Sequence, residues 1–298
     1  MKILVTGRDG QLARGLAEAA VAGVEVVTIG RPQIDLTDPR SMAEAIARER
    51  PDAVVNAAAY TAVDKAESEP DIAMAVNGMG AEHIALACAA GAIPLIHVST
   101  DYVFDGTRKE PYREDDAVGP INTYGRSKLD GELRVARACA QHLILRTAWV
   151  HSPWGSNFVK TMLRLAGDRR EIGVVGDQWG SPTYAPHLAG LVLALAQKVV
   201  TDTAAIPWGT YHAVNAGETT WSGFAREVFL CARERGLPAA EVVPIGTADY
   251  PTPARRPMNS RLDCAKLRRS FALELPDWRV GVRDCVDRLA AALQAGKA

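Results

Sequence analysis

The chain has little that marks a secreted, membrane or nucleic-acid-binding protein. Among its 298 residues are five cysteines: Cys88, Cys139, Cys231, Cys264 and Cys285, odd in number, widely spaced and without a CxxC pair. That pattern fits thiols in a reducing compartment and opposes both a disulfide scaffold and a zinc cluster. Neither sign of charge dominates. Thirty-four Lys plus Arg face 35 Asp plus Glu, a formal charge of -1, so no global field draws the chain to nucleic acid or an anionic membrane. Long hydrophobic runs are missing too: the longest, Leu188 to Ala196 around Gly190, is about half the roughly 20 residues of a membrane span. The apolar stretch Ile3 to Val5 is broken by Gly7, Arg8 and Asp9, too short for the core of a signal peptide, and reads as a first strand. Internal repeats and low-complexity linkers are absent as well. With 48% hydrophobic and 23% charged residues, a folded cytoplasmic protein is expected.

What the chain does have is alternation. Lys2 to Thr6 is a β-branched, apolar strand; Gly7 to Gly10 is a turn; and Gln11 to Ala22 carries Leu12, Leu16, Ala19 and Ala20 at helical spacing. Further strands are expected at Val24–Ile29, Asp52–Asn56, Leu95–Ser99 and Leu143–Thr147. Helices are expected from about Pro39 to Arg50, with Asp38 as N-cap, and from Val76 to Ala90. Strands separated by helices imply an α/β fold, a Rossmann-type doubly wound parallel sheet. From about residue 150 the periodicity fades, which points to a smaller C-terminal substrate-binding region. The expected division is a dinucleotide-binding domain over 1–149, with part of about 184–215 returning to it, and a substrate region over 150–183 and 216–298.

Gly7-Arg8-Asp9-Gly10-Gln11-Leu12-Ala13 lies between a strand and a helix, where a glycine turn lets backbone N–H groups approach a pyrophosphate. An ordinary strand-to-helix turn is the alternative. Arg31, after the second strand, favours a ribose 2′-phosphate and so NADPH over NADH, unless it is simply solvated. Asp35 and Leu36 could flank the adenine. Asn56 is followed by Ala57, Ala58 and Ala59, small enough for a dinucleotide to lie across the sheet. Ser99-Thr100-Asp101-Tyr102 ends an apolar strand, where open α/β sheets place ligands. Some twenty residues on, Tyr124 and Lys128 stand i, i+4 on an expected helix and share a face. A tyrosine beside a lysine and an oxidised nicotinamide is expected to have its pKa lowered from about 10, easing proton delivery to an alkoxide.

The glycine turn, Thr100 and the YxxxK of Tyr124 and Lys128 resemble the extended short-chain dehydrogenase/reductases. Longer strings resemble, within them, the dTDP-4-dehydrorhamnose reductases. These are Asn56 to Glu67 (NAAAYTAVDKAE), Ser99 to Gly106 (STDYVFDG), Arg146 to Trp149 (RTAW), Asp177 to Thr183 (DQWGSPT), Tyr211 to Asn215 (YHAVN) and Arg256 to Ser260 (RPMNS). The resemblance implies reduction of the C4 ketone of dTDP-4-dehydro-6-deoxy-L-mannose, with Tyr124 and Lys128 catalytic and Thr100 assisting. It implies that Gly7, Gly10, Gln11, Leu12, Arg31, Asp35, Leu36, Ala57, Ala58, Ala59, Tyr60, Thr61 and Val98 border the cofactor, together with Tyr124 and Lys128. Thr100, Asp101, Tyr102, Trp149 and Arg256 would then meet the nucleotide sugar. Trp149 also reads as a core residue, and Tyr60, Asp101 and Tyr102 as structural ones; Arg255, Arg256 and Arg261 are candidates for the phosphates or for a solvated surface. Some reductases of this family hold Mg²⁺ between subunits through a Glu in the first helix. Gly15 stands there in this chain, with Glu18 the nearest acid, so no required metal is expected and the molecule is expected to be a monomer or weak homodimer. Two other readings remain open: an epimerase or dehydratase of the same superfamily that keeps NAD bound, and a non-catalytic binding protein like the regulatory subunit of methionine adenosyltransferase.

Overall fold

A computed structural model describes residues 1–295. Five strands, β1 (Lys2–Thr6), β2 (Glu25–Ile29), β3 (Ala53–Asn56), β4 (Leu95–Thr100) and β5 (His142–Thr147), join Gly209–His212 in one sheet. The order is β2-β1-β3-β4-β5-Gly209–His212, and every pairing is parallel. Ile3, Leu4, Val5, Val54, Val55, Leu95 and Ile96 are fully buried, as strands covered on both faces require. The chain reverses between β1 and β3, which opens a crevice at the carboxyl ends of those strands.

Each of the five strands lies within a residue of its sequence-expected bounds. The first helix differs: it spans Gln11–Glu18 rather than reaching Ala22. Ala20 to Gly23 form the turn into β2, with Gly23 at φ +83° and Val24 N–H bonded to the Val21 carbonyl. The Pro39–Glu49 helix starts as expected, Asp38 accepting from the Arg40 N–H at 3.0 Å, and ends where Arg50 turns left-handed.

The helix expected from Val76 begins earlier. Pro70–Met74 runs through a π turn at Ala75–Met79 into Gly80–Ala90 as one rod. By length and mean hydropathy this 21-residue rod could cross a membrane, a property hidden in the sequence by Asn77, Gly78 and Glu82. Instead Ala81, Ile84, Ala85, Ala87 and Cys88 join Met42, Ile46, Val54 and Val135 in a core on one face of the sheet.

The opposite face is covered by Ala185–Thr201 and by Leu267, Phe271 and Leu275. Residues 265–275, given to the substrate region by the sequence reading, thus pack on the sheet. Gly15 lies so close to this layer that a Cβ there would stand 3.1 Å from Ala189 Cβ and 3.3 Å from the Ala185 carbonyl oxygen. A second core gathers Phe158–Ala166, Trp221–Glu234 and Trp278–Ala295 around Val159, Phe224, Val228, Trp278 and Val282. A parallel pair, Glu171–Val175 with Glu241–Ile245, lies beside it.

The Thr123–Ala138 helix presses Ser127, Lys128, Gly131, Glu132 and Val135 inward. Glu132 takes Arg146 of β5 through paired bonds, Nε to Oε1 at 2.9 Å and Nη2 to Oε2 at 2.7 Å, both side chains nearly inaccessible. Removing one partner strands the other charge in the interior. Glu132→Gln is therefore expected to lower stability by about 3 kcal/mol in urea unfolding.

Candidate active site

At the crevice Gly7 has φ +95°, and a Cβ on it would press against the backbone of Ala57 and Ala58 at 3.1 to 3.2 Å. The turn is tied to β2 by the Gly7 N–H bond to the Ile29 carbonyl, 2.8 Å. The Gln11–Glu18 helix then starts at Gly10 with no side-chain cap and no acid in its first turn. Its leading N–H groups and positive dipole end are left for an anion, so the residues present fit the pyrophosphate of a dinucleotide. Leu12 is buried, whereas Gln11 is drawn aside, its Oε1 accepting from Ser152 Oγ at 2.7 Å and Asn157 Nδ2 at 3.0 Å. Arg31 is exposed and only loosely paired with Asp35 at 3.4 Å, the same carboxylate that takes the Thr37 N–H. Arg8, which sequence reasoning passed over, has its Cβ against Gly30 and its guanidinium bonded to Asp9 Oδ2 at 3.3 Å and Gln33 Oε1 at 3.2 Å.

On the other side of the crevice, Thr6 Oγ1 donates to Asn56 Oδ1 at 2.7 Å, and Asn56 Nδ2 bonds the buried His97 at 2.9 Å. Burial holds His97 well below its usual pKa, hence neutral. Ala57, Ala58 and Ala59 leave this rim low. Tyr60 is clamped at its backbone by Asn77 of the π turn: Oδ1 accepts its N–H at 2.8 Å and Nδ2 donates to its carbonyl at 3.0 Å. Thr61 is exposed beside it. Leu36 sits against Gly80, and its carbonyl meets His83.

Thr100 ends β4, and its hydroxyl donates to Asp101 Oδ1 at 2.9 Å while accepting the Tyr102 N–H. The Tyr124 ring stands edge-on to Tyr102 at 5.8 Å. Asn122 caps the Thr123–Ala138 helix through the Gly125 N–H at 2.7 Å, and Gly125 is required because a Cβ there would run into the Tyr102 carbonyl. Lys128 is buried, its Nζ donating to the Val98 carbonyl at 2.7 Å.

The protein's own groups do not supply the lowering of the Tyr124 pKa expected from a lysine together with an oxidised nicotinamide. Burial, reinforced by Asp101, pushes the Tyr124 phenol up rather than down, with the Thr100 hydroxyl acting against the shift. Burial brings the pKa of Lys128 down to about 8, with Glu132 opposing. Asp101 is raised to about 7 by burial against bonds from Thr100 and Ser260.

Beyond β4 a cavity of about 1070 Å³ opens among Phe158, Met162, Trp221, Tyr250 and Met258. Trp149 does not line it: at φ 48° its ring lies beneath Trp221, stacked at 3.6 Å, with Gly180 against its face. Trp221, half-buried like Trp149, is the one that lines the cavity. Arg256 is in the cavity wall but bound to Asp64 at 2.8 and 3.0 Å, whereas Arg261 is outside, held by Glu218 at 2.9 Å. Arg255 and Arg169 line the cavity with no carboxylate partner among the described residues. Sequence reasoning missed Asn77, Asp64, Glu67, Arg169 and Trp221. A polar Asn77 within an apolar helix was one signal, and Asp64 and Glu67 lie in the string Asn56 to Glu67, which gave them no role of their own.

No group of three or more His, Cys, Asp or Glu side chains among the described residues is placed to share a metal ion. Residues 1–291 match the family model of the RmlD substrate binding domain. The chain is 48% identical over 286 residues to a dTDP-4-dehydrorhamnose reductase of Sinorhizobium fredii, covering 96% of this chain and 97% of the relative. It is 44% identical over 295 residues to that of Escherichia coli K12, covering 97% and 98%. Its fold superimposes with a TM-score of 0.90 on the Bacillus anthracis dTDP-4-dehydrorhamnose reductase in complex with NADP, at 35% identity over 96% of this chain and 99% of the other. A glycine turn, a strand-end threonine and a Tyr/Lys helix beside one large cavity, matched from end to end at this identity, place the chain in the dTDP-4-dehydrorhamnose reductase family.

Proposed function

We propose that the protein reduces the C4 ketone of dTDP-4-dehydro-6-deoxy-L-mannose to the alcohol of dTDP-L-rhamnose, with NADPH preferred over NADH. The observation that carries the reading is the meeting of Thr100, Tyr124 and Lys128 between an uncapped helix N-terminus and a cavity large enough for a sugar nucleotide. Residues 1–149 with 184–215 would hold the dinucleotide, and 150–183 with 216–298, apart from the segment 265–275 that packs on the sheet, the sugar nucleotide. Arg31 stands where an NAD-retaining epimerase wants an acid, which disfavours that rival. The complete catalytic set disfavours a purely binding role. With Gly15 in contact with the Ala185–Thr201 helix, no side chain is available there for a metal-bridged dimer, so the reading carries no metal requirement and a monomer or weak homodimer in the cytoplasm.

A bound reduced nicotinamide supplies the hydride. Tyr124, kept protonated by burial, gives its proton to the C4 oxygen as negative charge develops there, and Thr100 orients the carbonyl. Lys128, fixed by the Val98 carbonyl, is positioned to hold the nicotinamide ribose. Arg255 and Arg169 offer charge-assisted hydrogen bonds to the diphosphate, with Trp221 and Phe158 as an apolar floor for the base.

Three outcomes are expected. Tyr124→Phe lowers kcat by about 10² to 10⁴ fold in NADPH oxidation at 340 nm while still binding cofactor; near-full turnover would remove the mechanism. Arg31→Ala raises the KM for NADPH by about tenfold and leaves that for NADH within about twofold, the loss of one charge-assisted contact to phosphate. Asp101, raised above its unfolded pKa, holds its proton in the native state, so its contribution is complete below about pH 4 and is lost as pH rises through about 7, a span of about 4 kcal/mol. Asp101→Asn should flatten the pH dependence of Tm across that window.

A further inference from the structure

Two strings of the sequence far apart in the chain, Asn56 to Glu67 and Arg256 to Ser260, meet in the fold. Asp64 Oδ1 and Oδ2 take Arg256 Nη1 and Nη2 at 3.0 and 2.8 Å, and Asp64 also accepts the Ala254 N–H at 3.2 Å. Arg256 Nη1 reaches Thr252 Oγ1 at 2.6 Å and the Ala254 carbonyl at 3.2 Å as well. The guanidinium thus gathers its own segment, 252 to 256, and ties it to the loop after β3. That loop is in turn bonded to the start of the catalytic helix: Glu67 accepts the Thr123 N–H at 2.7 Å and its hydroxyl at 3.1 Å. The third side is closed by Asn122, whose Nδ2 donates to the Arg255 carbonyl at 2.8 Å. Three segments are bonded pairwise: the loop bordering the cofactor crevice, the helix bearing Tyr124, and the strap bearing Thr252, Ala254, Arg255 and Arg256 that walls the cavity.

We propose that Asp64 is a positioning residue for substrate binding: it holds Arg256, and with it the 252–256 strap, in register with the catalytic helix, so that the strap's free arginine, Arg255, faces a correctly placed diphosphate. Asp64 itself touches neither reactant. The paired geometry matters more than the charge, since both oxygens are used and the carboxylate's proton affinity is lowered chiefly by the Arg256 bonds. Without it, Arg256 is freed to rotate into the cavity and the strap loses its attachment to the β3 loop, while Tyr124, Thr100 and Lys128 keep their own contacts.

This rests on the reductase reading for its kinetic arm only. Asp64→Asn, which keeps size but not the paired acceptor, is expected to raise the KM for the nucleotide sugar by about tenfold with kcat within about twofold and the Kd for NADPH unchanged. In calorimetry its Kd for dTDP should weaken by the same factor. Arg256→Gln added to Asp64→Asn should cost little more, because the two act as one unit. Multiplying penalties, or a fall in kcat at unchanged KM, would overturn the proposal. If Asp64→Asn does not fold, Arg256→Lys takes its place, with the same split expected and the same results overturning it. Should the wild type oxidise no NADPH with this sugar while dTDP binding still weakens in Asp64→Asn, the reductase reading falls and the positioning role stands.

Discussion

The site depends first on how the Thr123–Ala138 helix is anchored to the sheet. Glu132 and Arg146 form a buried, doubly bonded pair between that helix and β5, and the Arg146 guanidinium also lies over the Phe104 ring at 5.0 Å. One helical turn earlier, Lys128 reaches the Val98 carbonyl of β4. The helix is thus fixed to two adjacent strands by two charges that have no water to return to. Once those contacts are made the helix cannot rotate, and Tyr124, one further turn along, is delivered beside Tyr102 and Thr100. Close approach to the rod at Pro70–Ala90 follows from glycine: at Gly131 a Cβ would strike the Asn77 carbonyl.

Most of the sheet and the positions of Thr100, Tyr124 and Lys128 were legible in the sequence because they are written in short-range patterns. β1 to β5 are runs of Val, Ile and Leu with turn residues after them, and Tyr124 and Lys128 are separated by one helical turn. The 150–183 and 216–298 segments were not legible, since their strands are two to five residues long and pair across long intervals, as Glu171–Val175 does with Glu241–Ile245. The same limit explains Trp149 and Trp221. Both are tryptophans near strands or helix starts, and only the stacking order decides which of them reaches the cavity. Arg256 and Arg261 look alike in sequence, yet Asp64 and Glu218, distant in the chain, consume them and leave Arg255 and Arg169 free.

Charge placement explains the protonation states better than neighbouring cations do. A lysine four residues from a tyrosine, together with an oxidised nicotinamide, implies a lowered phenol pKa, but the lysine's share of that effect depends on how close and how buried the two groups are. Here Lys128 is engaged by a carbonyl and its own ammonium is disfavoured by burial, while Tyr124 has a buried carboxyl at hand in Asp101. The result is a phenol that stays protonated until negative charge grows on an oxygen beside it, which is what an acid for ketone reduction needs. Any lowering of the Tyr124 pKa then has to come from a ligand charge that arrives with the reactants.

On the proposed reading, the two phosphate-bearing ligands are met by opposite means. For the dinucleotide the chain offers backbone: Gly7, Gly10 and an uncapped helix end, with small residues from Ala57 to Ala59 keeping the floor low. For the sugar nucleotide it offers side chains, arginines on the 164–170 and 250–258 segments above an aromatic floor. Backbone recognition demands particular residues at fixed spacing, because only glycine and alanine leave room, and so it survives as a motif. Side-chain recognition can be supplied from any loop that reaches the cavity, and its accuracy rests on the bonds that hold those loops. On that reading the strap relies on Asp64, Glu67 and Asn122 to locate it, and these bonds, made between segments far apart in the chain, are visible only after folding.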